Sequence, residues 1–112
     1  MTARYACFVL VKTYPAWLAL TRKERAAIAG ESLGSTLPKD CGVSLRHFDG
    51  EAFSGRCTDV LMFETEDLHA YYLAIERLRD TPLITVPYFK VVDIFPTIED
   101  GYLALDGPEK DN

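Results

Sequence analysis

The strongest constraint on this chain is a strand that is apolar on both of its alternating faces. Between Arg4 and Thr13, Tyr5, Cys7, Val9 and Val11 share one face, while Ala6, Phe8 and Leu10 share the other. Successive side chains of a strand leave opposite faces of the sheet, so a strand of this kind belongs in the middle of a sheet covered on both sides. The rest of the chain has to supply its neighbours and both covers.

The elements that follow are legible in order. Tyr14-Pro15 breaks the strand, and Trp17, Leu18 and Leu20 form an apolar lead-in. Thr21 with Glu24 makes a capping box for a helix over about 21–37, which Pro38 ends. Gly30 and Gly34 weaken its second half, each by ~1 kcal/mol relative to alanine. Strands are expected over Val43–Asp49 and Gly55–Thr65, with a connection short enough for an antiparallel hairpin. Thr65 is then the expected N-cap of a second helix, with Glu66 and Asp67 at its positive end and Arg77 and Arg79 at its negative end. Leu68, Tyr71, Tyr72, Ile75 and Leu78 lay an apolar stripe along that helix. Thr81-Pro82 stops it, and the β-branched and aromatic run Tyr88–Phe95 reads as the last strand.

The order βαββαβ is the ferredoxin-like arrangement of the α+β class. Right-handed crossovers place both helices on one face of a four-stranded antiparallel sheet. The other face still needs a cover, because the first strand is apolar there too. A second copy of the chain supplies it most simply, so the expectation is a homodimer paired through the sheet face, a dimeric α/β barrel. The domain is expected over 1–96. Residues 97–112 form an acidic tail carrying Glu99, Asp100, Asp106, Glu109 and Asp111 against Lys110. That tail either drapes over the partner subunit through Ile98, Tyr102 and Leu103 or frays.

Composition narrows the function classes. At 112 residues, with 48% hydrophobic and 26% charged side chains, the chain has the makings of one soluble domain with a real core. Of the net charge of −5, −4 belongs to the tail, and no basic stripe appears, so no nucleic-acid partner is expected. No apolar run approaches the ~18 residues of a membrane span. The N-terminal apolar run is interrupted by Lys12 and reads as a strand, not as a signal peptide. Cys7, Cys41 and Cys57 are odd in number and widely spaced, which fits free thiols and a cytoplasmic location and offers no paired zinc-ligand spacing.

The phrases FVLVKTYPAWLALTRKER, FSGRCTDV, YYLAIERLRDTP, PYFKVVDIFP and IEDGY together give the chain a near full-length resemblance to the darcynin family. The resemblance implies a ferredoxin-like protomer and a dimeric α/β-barrel relative, and carries over no catalytic residue set. The wider superfamily it implies includes cofactor-independent monooxygenases, lactone isomerases, cyclases, haem-binding enzymes and members that only bind, so function by that route is analogy from fold.

Candidate site residues follow from the hairpin. Pairing Phe48 with Arg56 puts Val43, Leu45, His47, Cys57, Asp59, Leu61 and Phe63 on one face, turned toward the helices as the more apolar set. His47 and Asp59 are then candidate catalytic residues: a carboxylate fixes the tautomer of an imidazole and raises its basicity. The plain alternative is a solvated His47 near the hairpin end and an Asp59 paired with an arginine. Arg46 and Arg56, on the other face, either clamp a substrate carboxylate or pair with Asp49, Glu51, Glu64 or a partner's tail. Asp93 interrupts an apolar strand and so needs a cationic partner or acts as a site acid. Trp17, Tyr71 and Tyr72, with Tyr5 and Tyr88, either line an aromatic substrate pocket or belong to core and interface. A haem would have only His47 as a fair axial ligand, so no cofactor and no metal are expected. Two function classes remain open: a small cofactor-independent enzyme acting on an apolar or aromatic organic acid, with an arginine holding its carboxylate, and a non-catalytic dimer that binds a small molecule or another protein.

Overall fold

The computed structural model describes residues 2–106. The doubly apolar strand, β1 (Tyr5–Thr13), lies inside the sheet as its pattern requires. It pairs antiparallel with β3 (Asp59–Thr65) and with β4 (Phe89–Ile98), and β2 (Val43–Asp49) completes the order β2-β3-β1-β4. This is the α+β ferredoxin-like sheet.

Its first cover is helical. Cys7, Val9 and Phe63 are at most 1% exposed, and Val11 and Leu61 join them in a core packed by Ile28 and Leu33 of α2 (Arg22–Thr36) and by Tyr71, Ile75 and Leu78 of α3 (Leu68–Arg79). The capping box forms: the Thr21 hydroxyl accepts from the Glu24 N–H at 3.1 Å, and the Glu24 carboxylate accepts from the Thr21 N–H at 2.9 Å. The lead-in after Pro15 closes a single turn, α1 (Pro15–Leu18), and Pro82 opens another, α4 (Pro82–Thr85), before β4.

Three boundaries differ from expectation: the start of β3, the start of α3 and the end of β4, which runs to Ile98 and not to Phe95. The third strand starts at Asp59 because residues 55–58 are still turning back from the hairpin, so Phe48 pairs with Val60 and not with Arg56. The slip is an even number of residues, and side chains alternate with period two, so the face assignments of the residues that pair survive it. The N-cap of α3 is Asp67, whose carboxylate accepts from the His69 N–H at 2.9 Å; the Thr65 hydroxyl accepts from the Asp67 N–H at 3.0 Å, before the helix begins, and donates to the Gly42 carbonyl at 2.8 Å. Starting the helix later narrows its buried stripe to Tyr71, Ala74, Ile75 and Leu78, leaving Leu68 and Tyr72 exposed.

Among the described residues α2 and α3 leave the second face of the sheet open, with Met62 alone of its central side chains buried. Its two central rungs read Phe48–Val60–Leu10–Asp93 and Arg46–Met62–Phe8–Phe95. Phe48 and Phe95 are more than 40% exposed there. β4 runs on to Ile98, and a short turn leads into α5 (Tyr102–Asp106) with Tyr102 and Leu105 exposed. Residues 107–112 of the acidic tail lie outside the described residues.

Candidate functional site

Two constellations of charged side chains stand out, one on each face of the sheet. On the helix-side face, β2 carries His47 and Asp49 two residues apart and β3 carries Asp59 directly opposite Asp49. His47 Nε2 lies 2.7 Å from Asp59 Oδ2 and 3.7 Å from Asp49 Oδ1. The other oxygen of Asp59 accepts a 2.6 Å hydrogen bond from the Thr58 hydroxyl. Asp59 is the sheltered member, its side chain 15% exposed against 48% for His47 and 77% for Asp49. His47 and Asp59 thus meet, with the imidazole half exposed at the margin of the sheet. Asp49, weighed in the sequence only as an arginine's partner, joins them; the signal was the His-x-Asp alternation, which puts both on one face of a strand.

On the open face, Arg56 reaches from the hairpin to Asp93, Nη2 to Oδ2 at 2.6 Å. Asp93 therefore has the cationic partner that its place in an apolar strand required, and it also accepts from the Ile94 N–H. With the side chains 61% and 33% exposed, this pair adds little stability to the free protomer. The Arg46 guanidinium sits 5.3 Å from the Phe48 ring centroid, a cation–π contact, and no salt bridge to it occurs among the described residues. Both arginines lie on the far side of the sheet from His47, so one protomer does not bring them to bear on a ligand held at His47.

Of the expected aromatics Trp17 and Tyr88 meet, while Tyr71 and Tyr72 stand apart from them. Trp17 packs on Tyr88 and Phe89, with ring centroids 5.4 and 4.9 Å apart; Tyr71 meets Phe63 in the core; Tyr72 is exposed and stacks on His69. The sheet–helix interface is filled by Val9, Phe63, Leu78 and their neighbours, which form the core of the domain. Two clefts open elsewhere. One of about 380 Å³ lies between α2 and the α3–α4 junction, lined by Ser32, Ser35, Arg77, Asp80 and Thr81. The other, about 670 Å³, lies beside the start of β2 and is lined by Arg4, Asp40, Ser44, Glu64 and Asp67. Neither includes His47, Asp59, Arg46, Arg56 or Asp93. The residues do not fit a haem: His69 stands on the exposed side of α3, and neither histidine lines either of these clefts.

The fold and the two constellations define a ferredoxin-like α+β domain with one helix-covered sheet face and one open face that carries charge. The chain belongs to the Darcynin family: the model described as "Darcynin, domain of unknown function" matches residues 2–110. It is 58% identical over 64 residues to Darcynin of Chromobacterium violaceum, covering 57% of this chain and 81% of that protein. It is 46% identical over 103 residues to a Darcynin homolog of Streptomyces avermitilis, covering 91% and 84%. Darcynin 1 of Acinetobacter baumannii is 43% identical over 89 residues, covering 80% and 99%. Among solved structures it resembles a mutant chlorite dismutase from Candidatus Nitrospira defluvii, with TM-score 0.73, 19% identity, and coverage of 88% of this chain and 41% of that one. A structure of the same organism's chlorite dismutase in complex with imidazole gives TM-score 0.72 at 12% identity, covering 95% and 44%. This chain spans less than half the length of those solved chains. At such identities the likeness is one of fold. Among the described residues no helix is long and apolar enough to cross a membrane.

Proposed function

We propose that this protein works as a homodimer paired through its open sheet faces, and that the space between them binds a small, largely apolar or aromatic organic acid. The observation that carries this reading is the uncovered face: Phe8, Leu10, Phe48, Val60, Met62 and Phe95 form its two central rungs, with Arg46 at one edge and the Arg56–Asp93 pair at the other. Phe48 and Phe95 are exposed, Phe8, Leu10 and Val60 are half-buried and Met62 is buried, so the exposed apolar area lies toward the two edges, where such surface marks an interaction or ligand site. An arginine that is desolvated between two apolar faces offers a planar, two-pronged donor to a carboxylate. Arg46 suits that role because its guanidinium rests on an aromatic ring and has no carboxylate of its own among the described residues. The solved neighbours, more than twice as long as this chain, have room within one chain for a second unit of this size.

Native mass spectrometry on protein purified from its own host tests both halves. The expected result is a dimer carrying a few hundred daltons of extra mass that leave on denaturation. A monomer at micromolar concentration overturns the pairing. A dimer of bare mass that also fails to retain added aromatic carboxylates overturns the ligand.

A further inference from the structure

We propose that His47, Asp49 and Asp59 form a binding site for a divalent first-row transition-metal ion, at the margin of the sheet and away from the open face. One ligand atom from each residue lies within 4.8 Å of the other two, with His47 Nε2 2.7 and 3.7 Å from the two carboxylates. A zinc-like ion holds nitrogen and oxygen ligands at about 2.0–2.2 Å, which sets its donors roughly 3–3.5 Å apart, and the three atoms here straddle that spacing. Closing the cluster onto an ion therefore asks only for small side-chain rotations.

Two further features favour a cation over a simple His–Asp hydrogen bond. First, Asp49 and Asp59 are direct cross-strand partners. The next rung is hydrogen-bonded, Gly50 N–H to the Thr58 carbonyl at 2.7 Å, so the Asp49–Asp59 rung is one of the close, non-hydrogen-bonded pairs. Like charges directly opposite at that spacing destabilise a sheet, and a cation between them reverses the sign. Secondly, the Thr58 hydroxyl pins the far oxygen of Asp59, so Oδ2 is left aimed at His47. Outer hydrogen bonds of this kind orient ligands in metal sites. One imidazole with two carboxylates suits zinc, cobalt, manganese or iron better than magnesium or calcium, which favour all-oxygen shells. The half-exposed flank of His47 leaves open positions for water or a small anion.

This site and a proton-transfer role for His47 compete for one nitrogen, and Asp49 separates them: metal binding needs it and proton transfer does not. The test is calorimetric titration of untagged, chelator-treated full-length protein with Zn²⁺, with Co²⁺ absorption as a second readout. The expected result is one ion per protomer for the wild type. Asp49→Asn and His47→Ala should each weaken binding at least about tenfold, no less than the loss of an outer-shell partner costs. Asp49 is well exposed, so Asp49→Asn leaves folding intact, to be checked by circular dichroism. Absence of saturable binding by the wild type overturns the proposal. So does equal binding by wild type and both variants, which would mark an acidic surface and leave His47–Asp59 as an acid–base or structural pair.

Discussion

Tyr71 stands edge-on to Phe63, with ring centroids 5.9 Å apart, and burial there pushes its phenol up to about 12, with the neighbouring Cys7 adding a smaller push in the same direction. Cys7 is itself fully buried, and desolvation raises its thiol above the ordinary value. Both groups are folded as neutral acids. A raised folded pKa means that the stabilisation is fully present below the unfolded value and is lost as pH rises through the folded one. The window follows: stability should hold up to about pH 9, then fall between there and about 12 as buried thiol and phenol are driven to ionise. Tyr71→Phe removes the phenolic share, so its urea midpoint should fall less steeply across pH 10–12 than that of the wild type. Parallel curves for the two proteins would show that Tyr71 is not a source of the alkaline loss. His47 and Asp59 belong to the same scale, and their meeting was legible because strand parity alone puts them on one face. The Arg56–Asp93 pair was not. It joins a hairpin loop to a strand 37 residues later, and the β1–β4 register shifts at Leu10/Val11, which no local pattern announces.

At the scale of elements, local chemistry was read well and tertiary competition was not. The Thr21–Glu24 box formed where the sequence placed it because its partners are three residues apart and nothing else claims them. Thr65 looked equally good as a cap, but it ends β3 as the partner of Val43; its hydroxyl does accept a backbone N–H, that of Asp67 ahead of the helix, and Asp67 caps the helix itself. The hairpin pairing was four residues out, yet an even error leaves the faces right. The α2 helix offers a sharper test. A Cβ placed on Gly30 or on Gly34 would meet nothing within 4 Å, so packing in the protomer gives neither glycine a reason to be there. Each glycine carries only its backbone-entropy penalty, so Gly30→Ala and Gly34→Ala should each raise unfolding free energy by about 0.5–1 kcal/mol in urea titrations. A loss of stability on either change would mean that this helix face is occupied in the assembled protein.

At the scale of the whole molecule, the two covers demanded by β1 remain the central matter. The helices provide one, and the argument for the second is energetic. Phe48 and Phe95 are 42% and 45% exposed on the open face, at opposite edges of the sheet. In a free protomer, replacing either with a charged residue should cost on the order of 1 kcal/mol, the value of a half-buried strand side chain and its cross-strand contact. In a face-to-face dimer a two-fold axis buries each substituted position twice. Fully burying a phenylalanine is worth about 1.5–3 kcal/mol, and at 45% exposure Phe95 has just under half of that left to gain, so losing two per dimer costs roughly 1.5–3 kcal/mol, or about one to two decades in the dimer dissociation constant, before the cost of burying two carboxylates is added. Phe95→Asp should therefore convert the protein to a monomer in light-scattering chromatography while its circular dichroism stays that of the wild type. Phe53, 92% exposed at the hairpin tip, is the matching control, and Phe53→Asp should leave the dimer unchanged. If Phe95→Asp and wild type show the same mass at every concentration, the open face is not the pairing surface. The cover for Phe8 and Leu10 would then have to come from a different partner, and the bound acid with it.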